Sequence, residues 1–247
     1  MSNWIEGKVV RNKHWTDVLY SLHVEADIDP FIAGQYGRLG LEIDEQIVGR
    51  PYSFVNAPHE HTHEFYSITV RHGPLSTKLF SLQESDSVWI DQRANGFFTL
   101  NEVPDGRDIW MFATGTGLGP FLSILKSDEV WQRFERVVLV HAVRFAKELT
   151  YQETIQKFSE RFDGRFQMVP FVSREDTDFA LSGRIPAAIE NCMLVEKVGF
   201  GLDPAYSQTM LCGNPDMLVD TRNALKEKGL EKNLRRSPGH ITTESYW

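Results

Sequence analysis

The spacing of apolar residues changes near residue 104, and this change constrains the fold more than any other feature of the chain. Before it, short segments such as "YGRLGLEI" alternate in the way that is typical of antiparallel strands. After it, apolar strands such as "RVVLVHAVR" alternate with helical segments such as "TYQETIQKFSERF", which indicates a parallel sheet covered by helices. The sequence therefore predicts an antiparallel β-barrel or sandwich in residues 1–101, followed by an α/β parallel-sheet domain in residues 102–247.

The charge and the cysteine content exclude several classes of function. A net charge of −8 argues against a nucleic-acid-binding protein, which needs a basic face. The two cysteines, Cys192 and Cys212, are far apart and form neither a zinc motif nor a disulfide framework, so we expect a reducing compartment. No apolar run approaches the length of a membrane span. We therefore expect a cytoplasmic protein that does not bind membranes.

A glycine-rich turn follows the first strand of the predicted α/β domain. In "GTGLGP", residues 115–120, the glycines precede a helix, and the amides at a helix start attract phosphate. The spacing is GxGxG rather than GxGxxG, so the motif fits either a plain structural turn or a dinucleotide-binding turn. Its position between an apolar strand and a helix favours dinucleotide binding.

Arginines follow the next strand ends of the same domain. Two strands end at Val143-Arg144 and Ser173-Arg174, and Arg184 follows in "SGRIP". Each arginine taken alone is also compatible with an ordinary solvated side chain. Together they fit the 2′-phosphate of NADP, and the second strand end lacks the acidic residue that often accompanies NAD binding.

Two further groups of residues have competing interpretations. Cys212 precedes a Gly-Asn-Pro turn at a predicted strand end, which suits an active-site thiol, but a buried structural cysteine is the usual case. His59, His61 and His63 alternate in "HEHTH". No carboxylate or cysteine constellation completes a metal site around them, so we predict none.

The segment "GRPYSFVNAP", residues 49–58, concentrates unusual chemistry in an extended stretch. Alternation along a strand points Arg50 and Tyr52 to one face and Ser53 to the other. The strand thereby offers a cation, a flat aromatic surface and a hydroxyl within a short distance. The pattern indicates a binding segment, but the residues alone do not name its ligand.

These motifs occur together, and in the same order, in one family. The segments "RPYSF", "GPLST", "GTGLGPFLS", "VSRE", "LCGNPDM" and the terminal "ESYW" resemble the ferredoxin/flavodoxin–NADP reductases, in the bacterial type that ends with an aromatic residue. The resemblance covers essentially the whole chain. It implies that residues 1–101 form an FAD-binding antiparallel β-barrel and that residues 102–247 form an NADP-binding α/β domain whose C-terminal tail returns to the flavin.

The resemblance assigns one group of residues to the flavin. It implies that Arg50 pairs with the FAD pyrophosphate, that Tyr52 stacks on the isoalloxazine ring, and that Ser53 hydrogen-bonds near its N5 atom. Tyr246 and Trp247 would cover the flavin face and the FAD adenine. The other FAD-binding residues that the family motifs imply are Pro51, Tyr66, Ser67, Ile68, Thr69, Gly73, Pro74, Leu75, Ser76, Thr77 and Thr116.

A second group is assigned to the nicotinamide cofactor. The residues that would hold NADP are Val143, Arg144, Ser173, Arg174, Arg184 and Asp216. Cys212 and Glu244 match positions near the nicotinamide ring. The implied catalytic set is Ser53, Cys212, Glu244 and Tyr246, although neither Cys212 nor Glu244 is required as a proton donor.

The implied activity is electron transfer between NADP(H) and flavodoxin or ferredoxin, carried out by a monomer. NADPH would give a hydride to flavin N5, and the electrons would then leave singly to the protein acceptor. An electron-transfer subunit with its own iron–sulfur cluster is excluded, because two distant cysteines are too few to hold one. A reductase of free flavins and a redox-sensing flavoprotein with little turnover remain as alternatives.

Overall fold

The computed structural model describes residues 3–70 and 73–246 of the chain. Packing divides these residues into two compact units. Within the described residues, the first unit comprises the chain up to Thr99 together with Gly119–Ser127, and the second comprises Leu100–Leu118 and the chain from Asp128 onward. The sequence predicted that residues 1–101 bind FAD and that residues 102–247 bind NADP. This assignment of the cofactors to segments stays a prediction.

The helix α2 (Gly119–Lys126) belongs to the first unit because its side chains bond there. The Ser123 hydroxyl donates to the carbonyl of Asn56 at 2.7 Å. Lys126 pairs with Glu64 at 3.3 Å. The ring of Phe121 also meets Phe98 edge-on, with 5.4 Å between the ring centroids. These are contacts between residues far apart in the chain, so the local pattern of a helix after a glycine turn does not reveal them.

The first unit is an antiparallel sheet, as the alternation predicted. Its strands are β1 (Trp4–His14), β2 (Leu19–Glu25), β3 (Tyr36–Ile43), β4 (Gln46–Ser53), β5 (Thr62–Ile68) and β6 (Ser87–Asp91). They pair in the order β4-β3-β6-β1-β2-β5, and the pairs are antiparallel. An antiparallel bridge between Phe54, just after β4, and Phe65 in β5 brings the two edges together, so the sheet closes into a barrel.

The barrel interior is filled by the apolar faces of its strands. Its buried side chains include Val9, Leu22, Val24, Leu39, Phe54, Phe65 and Ile90. The helix α1 (Pro74–Ser81) packs against β2, β3 and β4. Pro74 stands in the first helical turn, where a missing amide hydrogen costs little, and Leu75 and Leu79 turn inward at the i, i+4 spacing of one helix face.

The second unit is the parallel sheet that the sequence predicted. Its strands are β7 (Asp108–Thr114), β8 (Arg136–Val143), β9 (Phe166–Val172), β10 (Leu181–Ser182), β11 (Ser207–Gly213) and β12 (Ile241–Ser245). Its helices are α3 (Glu129–Arg133), α4 (Gln152–Arg161), α5 (Ile185–Glu190), α6 (Met193–Val198) and α7 (Pro215–Glu227). The strand order is β10-β9-β8-β7-β11-β12, and all of these pairs are parallel. Within residues 3–70 and 73–246, no helix is long and apolar enough to cross a membrane.

Five elements of the second unit were not predicted. One of them is β10, which has only 2 residues. The helices α3, α5 and α6 have 5, 6 and 6 residues, which is too short for a periodic apolar pattern to emerge. The strand β12 reads "ITTES", and only Ile241 of its side chains is fully buried. Its place beside β11 comes from backbone pairing at the sheet edge, which leaves no apolar pattern in the sequence.

A buried carboxylate ties three strands together at the amino end of the sheet. Asp108 begins β7, is fully buried, and pairs in register with Arg136 of β8 and Ser207 of β11. The Arg136 guanidinium donates to both of its carboxylate oxygens, at 2.6 and 2.7 Å, and Arg107 donates at 3.1 and 3.2 Å. Burial alone would raise the pKa of Asp108, but the hydrogen bonds from Arg136 and Arg107 outweigh it and lower the pKa.

We predict that Asp108→Asn lowers the free energy of unfolding by about 2–3 kcal/mol at pH 7. This loss is smaller than the loss expected for a fully buried ion pair, because Arg107 and Arg136 are both partly exposed. The folded-state pKa of Asp108 is lowered, so this stabilisation is present above the unfolded pKa of about 3.9 and is lost as the pH falls through the folded value. Urea titration of both proteins at several pH values measures it. The control is Asp105→Asn, whose exposed carboxylate pairs with Arg133 and should matter little. Equal effects of the two substitutions would contradict the assignment.

Candidate functional site

In the first unit, Arg50, Tyr52 and Ser53 lie at the end of β4. Arg50 and the neighbouring Pro51 are exposed, Tyr52 is half-buried, and Ser53 is buried. The Arg50 guanidinium donates one hydrogen bond, at 2.9 Å, to the carbonyl of Gly49. The strand therefore presents a cation and an aromatic ring beside a buried hydroxyl.

The ring of Tyr52 is held by a network of hydroxyl groups. The side chain of Ser67, on β5, hydrogen-bonds to both Tyr52 and Tyr20. The Tyr20 hydroxyl in turn donates to the carbonyl of Ser76 on α1 at 3.2 Å. Burial raises the pKa of Tyr52 to about 12, against the opposing effects of the Arg50 charge and the Ser67 hydrogen bond. The phenol is therefore neutral at pH 7 and offers an uncharged aromatic face.

The turn that begins α1 is compact and carries backbone amides. The Ser76 hydroxyl accepts a hydrogen bond from the amide of Val70 at 3.0 Å and donates to the carbonyl of Gly73 at 3.3 Å. The Thr77 hydroxyl donates to the same carbonyl at 3.1 Å. Leu75 and Ser76 occupy the first turn of the helix, where backbone amides have no partner within the helix itself. Such a helix start is suited to a phosphate group.

The second half of β5 supplies the remaining flavin residues predicted in this unit. Tyr66 and Ser67 are buried, and Ile68 and Thr69 are half-buried. Ser67 lies opposite Tyr20 in the pairing with β2, and the amide of Thr69 donates to the carbonyl of Val18 at 2.8 Å. Because β5 comes last in the sheet order, these residues lie at an edge of the sheet next to β2.

In the second unit, the order of the strands creates a crevice at the carboxyl ends of β7 and β11. The chain adds β8 on one side of β7 and later places β11 on the other side, and ligands bind at such switch points. The amide of Asn214, after β11, donates to the hydroxyl of Thr114, at the end of β7, at 3.0 Å. A Cβ atom on Gly213 would lie 2.2 Å from that hydroxyl oxygen. Only a glycine permits this approach.

The predicted glycine turn forms the other wall of this crevice. Residues Gly115–Leu118 make one turn of 3₁₀ helix before α2, so the structure confirms the turn-to-helix transition. Gly115 has a φ of +52°, and a Cβ atom on it would meet nothing within 4 Å. A Cβ atom on Gly117 would lie 2.5 Å from the carbonyl oxygen of Cys212. Gly115 thus provides the bend and an open space, and Gly117 permits the close approach to β11.

Three of the four predicted catalytic residues meet at this crevice. Cys212 pairs in register with Glu244 of β12, and the amide of Tyr246 donates to the carbonyl of Gly213 at 3.0 Å. Burial raises the pKa of the Cys212 thiol strongly, the Glu244 carboxylate adds to this effect, and a hydrogen bond with the Tyr246 side chain opposes it. Cys212 is therefore a neutral thiol at pH 7. The fourth residue, Ser53, belongs to the first unit.

The turns after β8 and β9 bring four predicted NADP residues together. The amide of Arg174 donates to the carbonyl of Arg144 at 2.9 Å. The amide and the hydroxyl of Ser173 both donate to the carbonyl of Val143 at 3.1 Å. Both guanidinium groups are on exposed residues. Two cations on adjacent, tied turns can hold an anion that bears more than one negative charge.

Four other predicted residues lie outside these contacts. Arg184 is the exposed N-cap of α5 and lines a surface groove between α5 and α7, and Asp216 is exposed in the first turn of α7. In the described part of the chain, no hydrogen bond or ion pair joins either one to the Arg144 and Arg174 turns. Thr116 is buried in the 3₁₀ turn of the second unit. Trp247 lies outside the described residues.

The structure adds positioning residues that the sequence patterns did not indicate. The Glu148 carboxylate accepts the amides of Arg144 and Phe145, at 2.9 and 3.2 Å, and the Glu175 carboxylate accepts the amide of Ala146. Asn214 caps α7 by accepting the amide of Asp216 at 2.9 Å. An asparagine before proline is a recognisable helix-start signal, so Asn214 was detectable. Glu148 is the third residue after the N-cap Phe145, so its contacts are local and follow the spacing of a capping box. The contact of Glu175 with Ala146 joins two different loops and has no local signal.

The three histidines of "HEHTH" diverge in the structure. His59 and His61 are exposed, while His63 lies at the start of β5 and is buried. The Nε2 atom of His63 is 3.1 Å from the carbonyl oxygen of Ala26, and its ring meets Phe54 at 5.7 Å between centroids. Burial lowers the pKa of His63. Its role here is that of a core side chain in the barrel.

Comparisons with known proteins find similarity over both units of the chain. Residues 111–223 match the family model described as oxidoreductase NAD-binding domain. Over 248 residues and 100% of both chains, the sequence is 47% identical to a flavodoxin/ferredoxin–NADP reductase of Shigella flexneri and 46% identical to one of Escherichia coli K12. It is also similar to a crystal structure of a ferredoxin NADP+ reductase from Neisseria gonorrhoeae with bound FAD and NADP, with 33% identity, a TM-score of 0.93 and 99% coverage of each chain. The similarity therefore extends over the whole chain.

We predict that Gly117→Ala destabilises the second unit by about 1–3 kcal/mol, because its Cβ atom would press against the Cys212 carbonyl. A thermal unfolding scan should show this as a melting temperature several degrees lower. The matched control is Gly201→Ala, because a Cβ atom there would meet Val195 only at an ordinary 3.9 Å. Similar melting temperatures for the two variants would mean that the turn and β11 have room to separate.

Proposed function

The chain belongs to the flavodoxin/ferredoxin–NADP reductase family, and we propose that it is an FAD-dependent oxidoreductase that moves electrons between NADP(H) and flavodoxin or ferredoxin. The full-length relatives confirm the family that the motifs predicted. The structural observation that carries the proposal is the crevice where the glycine turn meets Cys212 and Glu244. It lies at the sheet position where nucleotide cofactors bind.

The side chains and backbone amides described in the first unit are suited to binding FAD. An exposed guanidinium on Arg50 and the amides at the start of α1 suit the pyrophosphate, which carries negative charge. The neutral ring of Tyr52 suits stacking on an isoalloxazine, and the buried hydroxyl of Ser53 suits one of its polar edges. The predicted segment Tyr66–Thr69 lies at the sheet edge, where its backbone lies beside the cofactor in this proposal.

The hydroxyl network keeps the aromatic platform in one orientation. Ser67 contacts both tyrosine side chains, and Tyr20 connects this pair to the carbonyl of Ser76. The residues that receive the ring system are thereby linked to the helix that receives the phosphates. Because the Tyr52 ring is held in position before the cofactor binds, less entropy is lost when the reactants are brought into a stacked geometry.

The bound FAD supplies the redox chemistry, because a flavin accepts two electrons as a hydride and can release them singly. The protein residues at the crevice shape the place where the nicotinamide ring lies. The thiol of Cys212 stays protonated, so it acts through packing and its S–H group and not as a nucleophile. Glu244 contributes a carboxylate beside it, and no proton transfer from either residue is needed for hydride transfer.

Preference for NADP(H) comes from the cations after β8 and β9. A backbone hydrogen bond joins Arg144 and Arg174, and both residues are exposed, so in this proposal both guanidinium groups bind the same 2′-phosphate. Arg184, at the start of α5, adds a third positive charge. Glu148 is the first acidic residue after β8 in the sequence, and its carboxylate accepts the amides of Arg144 and Phe145. It therefore does not present the acceptor that NAD-binding units offer to the ribose.

The C-terminal tail acts as a cover in this proposal. Tyr246 is tied to the carbonyl of Gly213 and contacts Cys212, so its side chain belongs to the nicotinamide end of the crevice. It covers the flavin face and moves when the nicotinamide enters, so part of the binding energy of NADPH is used to displace it. Trp247, as its neighbour, covers the FAD adenine.

The proposal includes the organisation of the protein and its surroundings. Residues 1–101 hold FAD, and residues 102–247 hold NADP(H) and end in the tail. The protein acts as a cytoplasmic monomer and passes electrons to flavodoxin or ferredoxin. Size-exclusion chromatography with light scattering and cell fractionation are the measurements for these two properties; a stable dimer or a membrane-pelleting protein would contradict them.

We predict that the purified protein is yellow, holds one FAD per chain through dialysis, is reduced by NADPH, and is reoxidised by flavodoxin. Loss of FAD on dialysis would favour the free-flavin reductase, and reduction without turnover would favour the redox sensor. Arg50→Ala should weaken FAD binding by about 10- to 100-fold, because a charged hydrogen bond to phosphate is lost. Arg11→Ala, on exposed β1, is the control and should retain FAD.

We predict that Arg174→Ala raises the KM for NADPH by about tenfold or more and leaves the KM for NADH nearly unchanged, because only NADPH carries the 2′-phosphate. Steady-state kinetics with each cofactor measure this. Arg161→Ala removes an exposed arginine on α4 and should change neither KM. Equal losses for NADPH and NADH with Arg174→Ala would show that this guanidinium does not contact the 2′-phosphate.

A further inference from the structure

A buried histidine in the second unit has no part in the proposed function. His141 lies in β8, within the apolar segment "RVVLVHAVR", and is fully buried. Its neighbours in register are Ala113 on β7 and Pro170 on β9. Its Nε2 atom is 3.0 Å from the carbonyl oxygen of Gly115. A histidine in the middle of a buried strand therefore contacts the first residue of the glycine turn.

The surroundings determine where the proton of this ring lies. A carbonyl oxygen can only accept a hydrogen bond, so Nε2 carries the hydrogen. The Nδ1 atom is buried and has no hydrogen-bond partner in the described part of the chain. A second proton on Nδ1 would place an uncompensated charge in the core. In agreement with this, burial lowers the pKa of His141 to about 4, against the opposing hydrogen bond to Gly115.

The Gly115 carbonyl belongs to a turn whose conformation must be fixed by contacts with other elements. Gly115 has a φ of +52° and open space where a Cβ would be, and glycine has more conformational freedom than any other residue. The turn is fixed before it by Thr114, which accepts the amide of Asn214, and after it by Gly117, which lies against β11. The hydrogen bond from His141 fixes the carbonyl between these two points from the β8 side.

We infer that His141 is a positioning residue. Its Nε2–H group holds the Gly115 carbonyl and thereby fixes the position of Thr116, the next residue of the turn in this crevice. The catalytic consequence rests on the proposed function and on the assignment of Thr116 to the FAD that the family motifs imply. His141 touches neither cofactor. It acts through the turn, so its loss should slow hydride transfer without weakening the binding of FAD or of the 2′-phosphate.

Three substitutions separate this role from simple packing. His141→Gln keeps an N–H donor near the position of Nε2. His141→Asn carries its amide near the position of Nδ1 and does not reach the carbonyl, and His141→Leu has no donor. Val140→Ala serves as the control, because it opens a cavity at the neighbouring buried position of β8 without touching this hydrogen bond.

The first measurement does not depend on catalysis. Nitrogen–proton correlation spectra of the imidazole groups, with the His141 signal assigned by its absence in His141→Gln, report the tautomer. We expect a neutral ring with a slowly exchanging proton on Nε2 at pH 7. A proton on Nδ1, or a charged ring, would overturn the inference.

The second measurement is stopped-flow reduction of the FAD-loaded protein by saturating NADPH. We expect His141→Leu and His141→Asn to slow reduction by about 10- to 100-fold, as a misplaced reacting group does, and His141→Gln to stay within about threefold of the parent. FAD retention and the affinity for 2′-phospho-AMP should not change in any variant. The inference is overturned if His141→Gln is as slow as His141→Leu, or if Val140→Ala slows reduction as much.

Failure of the proposed function would look different. A parent protein that holds no FAD, or that NADPH does not reduce, would contradict the proposed function and the catalytic consequence of His141 together. The imidazole spectrum would still report the hydrogen bond to Gly115 by itself. A parent protein that works normally, with all His141 variants equally fast, would contradict only the positioning role.

Discussion

The close approach of two backbone turns is the constraint on which the candidate site depends. A parallel sheet whose order reverses at β7 leaves the carboxyl ends of β7 and β11 side by side. Gly117 and Gly213 allow the turns to meet, since Cβ atoms there would lie 2.5 and 2.2 Å from Cys212 and Thr114. The register of β12 then places Glu244 beside Cys212, so a contact between two glycine turns sets the position of the tail as well.

In each unit, burial keeps some of the candidate site residues neutral at pH 7. Burial raises the pKa of Tyr52 to about 12, raises that of Cys212, and lowers that of His141 to about 4, so all three are uncharged at pH 7. The cations, Arg144 and Arg174, lie on exposed turns. In the proposed function, binding energy therefore comes from the remote phosphate. The reacting rings meet the neutral side chains of Tyr52 and Cys212, together with the Glu244 carboxylate. Energy gained far from the reacting atoms can be used to displace Tyr246 and to orient the rings.

Much of the fold follows from the periodicity of the chain, and the exceptions have identifiable causes. Alternation predicted the barrel strands, and apolar runs predicted the parallel sheet, because each pattern reflects which faces of a strand are buried. The helices α3, α5 and α6 are too short to show a period, and β12 is held by backbone pairing at an edge. His63 alternates with His59 and His61 in the sequence, but only His63 is buried. The reason is that β5 begins at Thr62, so the other two histidines precede the strand.

The sequence by itself determined the two types of sheet, the glycine turn before a helix and the family of the chain, because these depend on residues that are neighbours in the chain or recur at a fixed spacing. Only the tertiary structure decided which distant groups meet. The contacts of His141 with Gly115, of Ser67 with Tyr20 and Tyr52, and of Glu175 with Ala146 have no local pattern. Each forms because strands remote in sequence lie side by side, and this proximity is a property of the packed sheet and of no single segment.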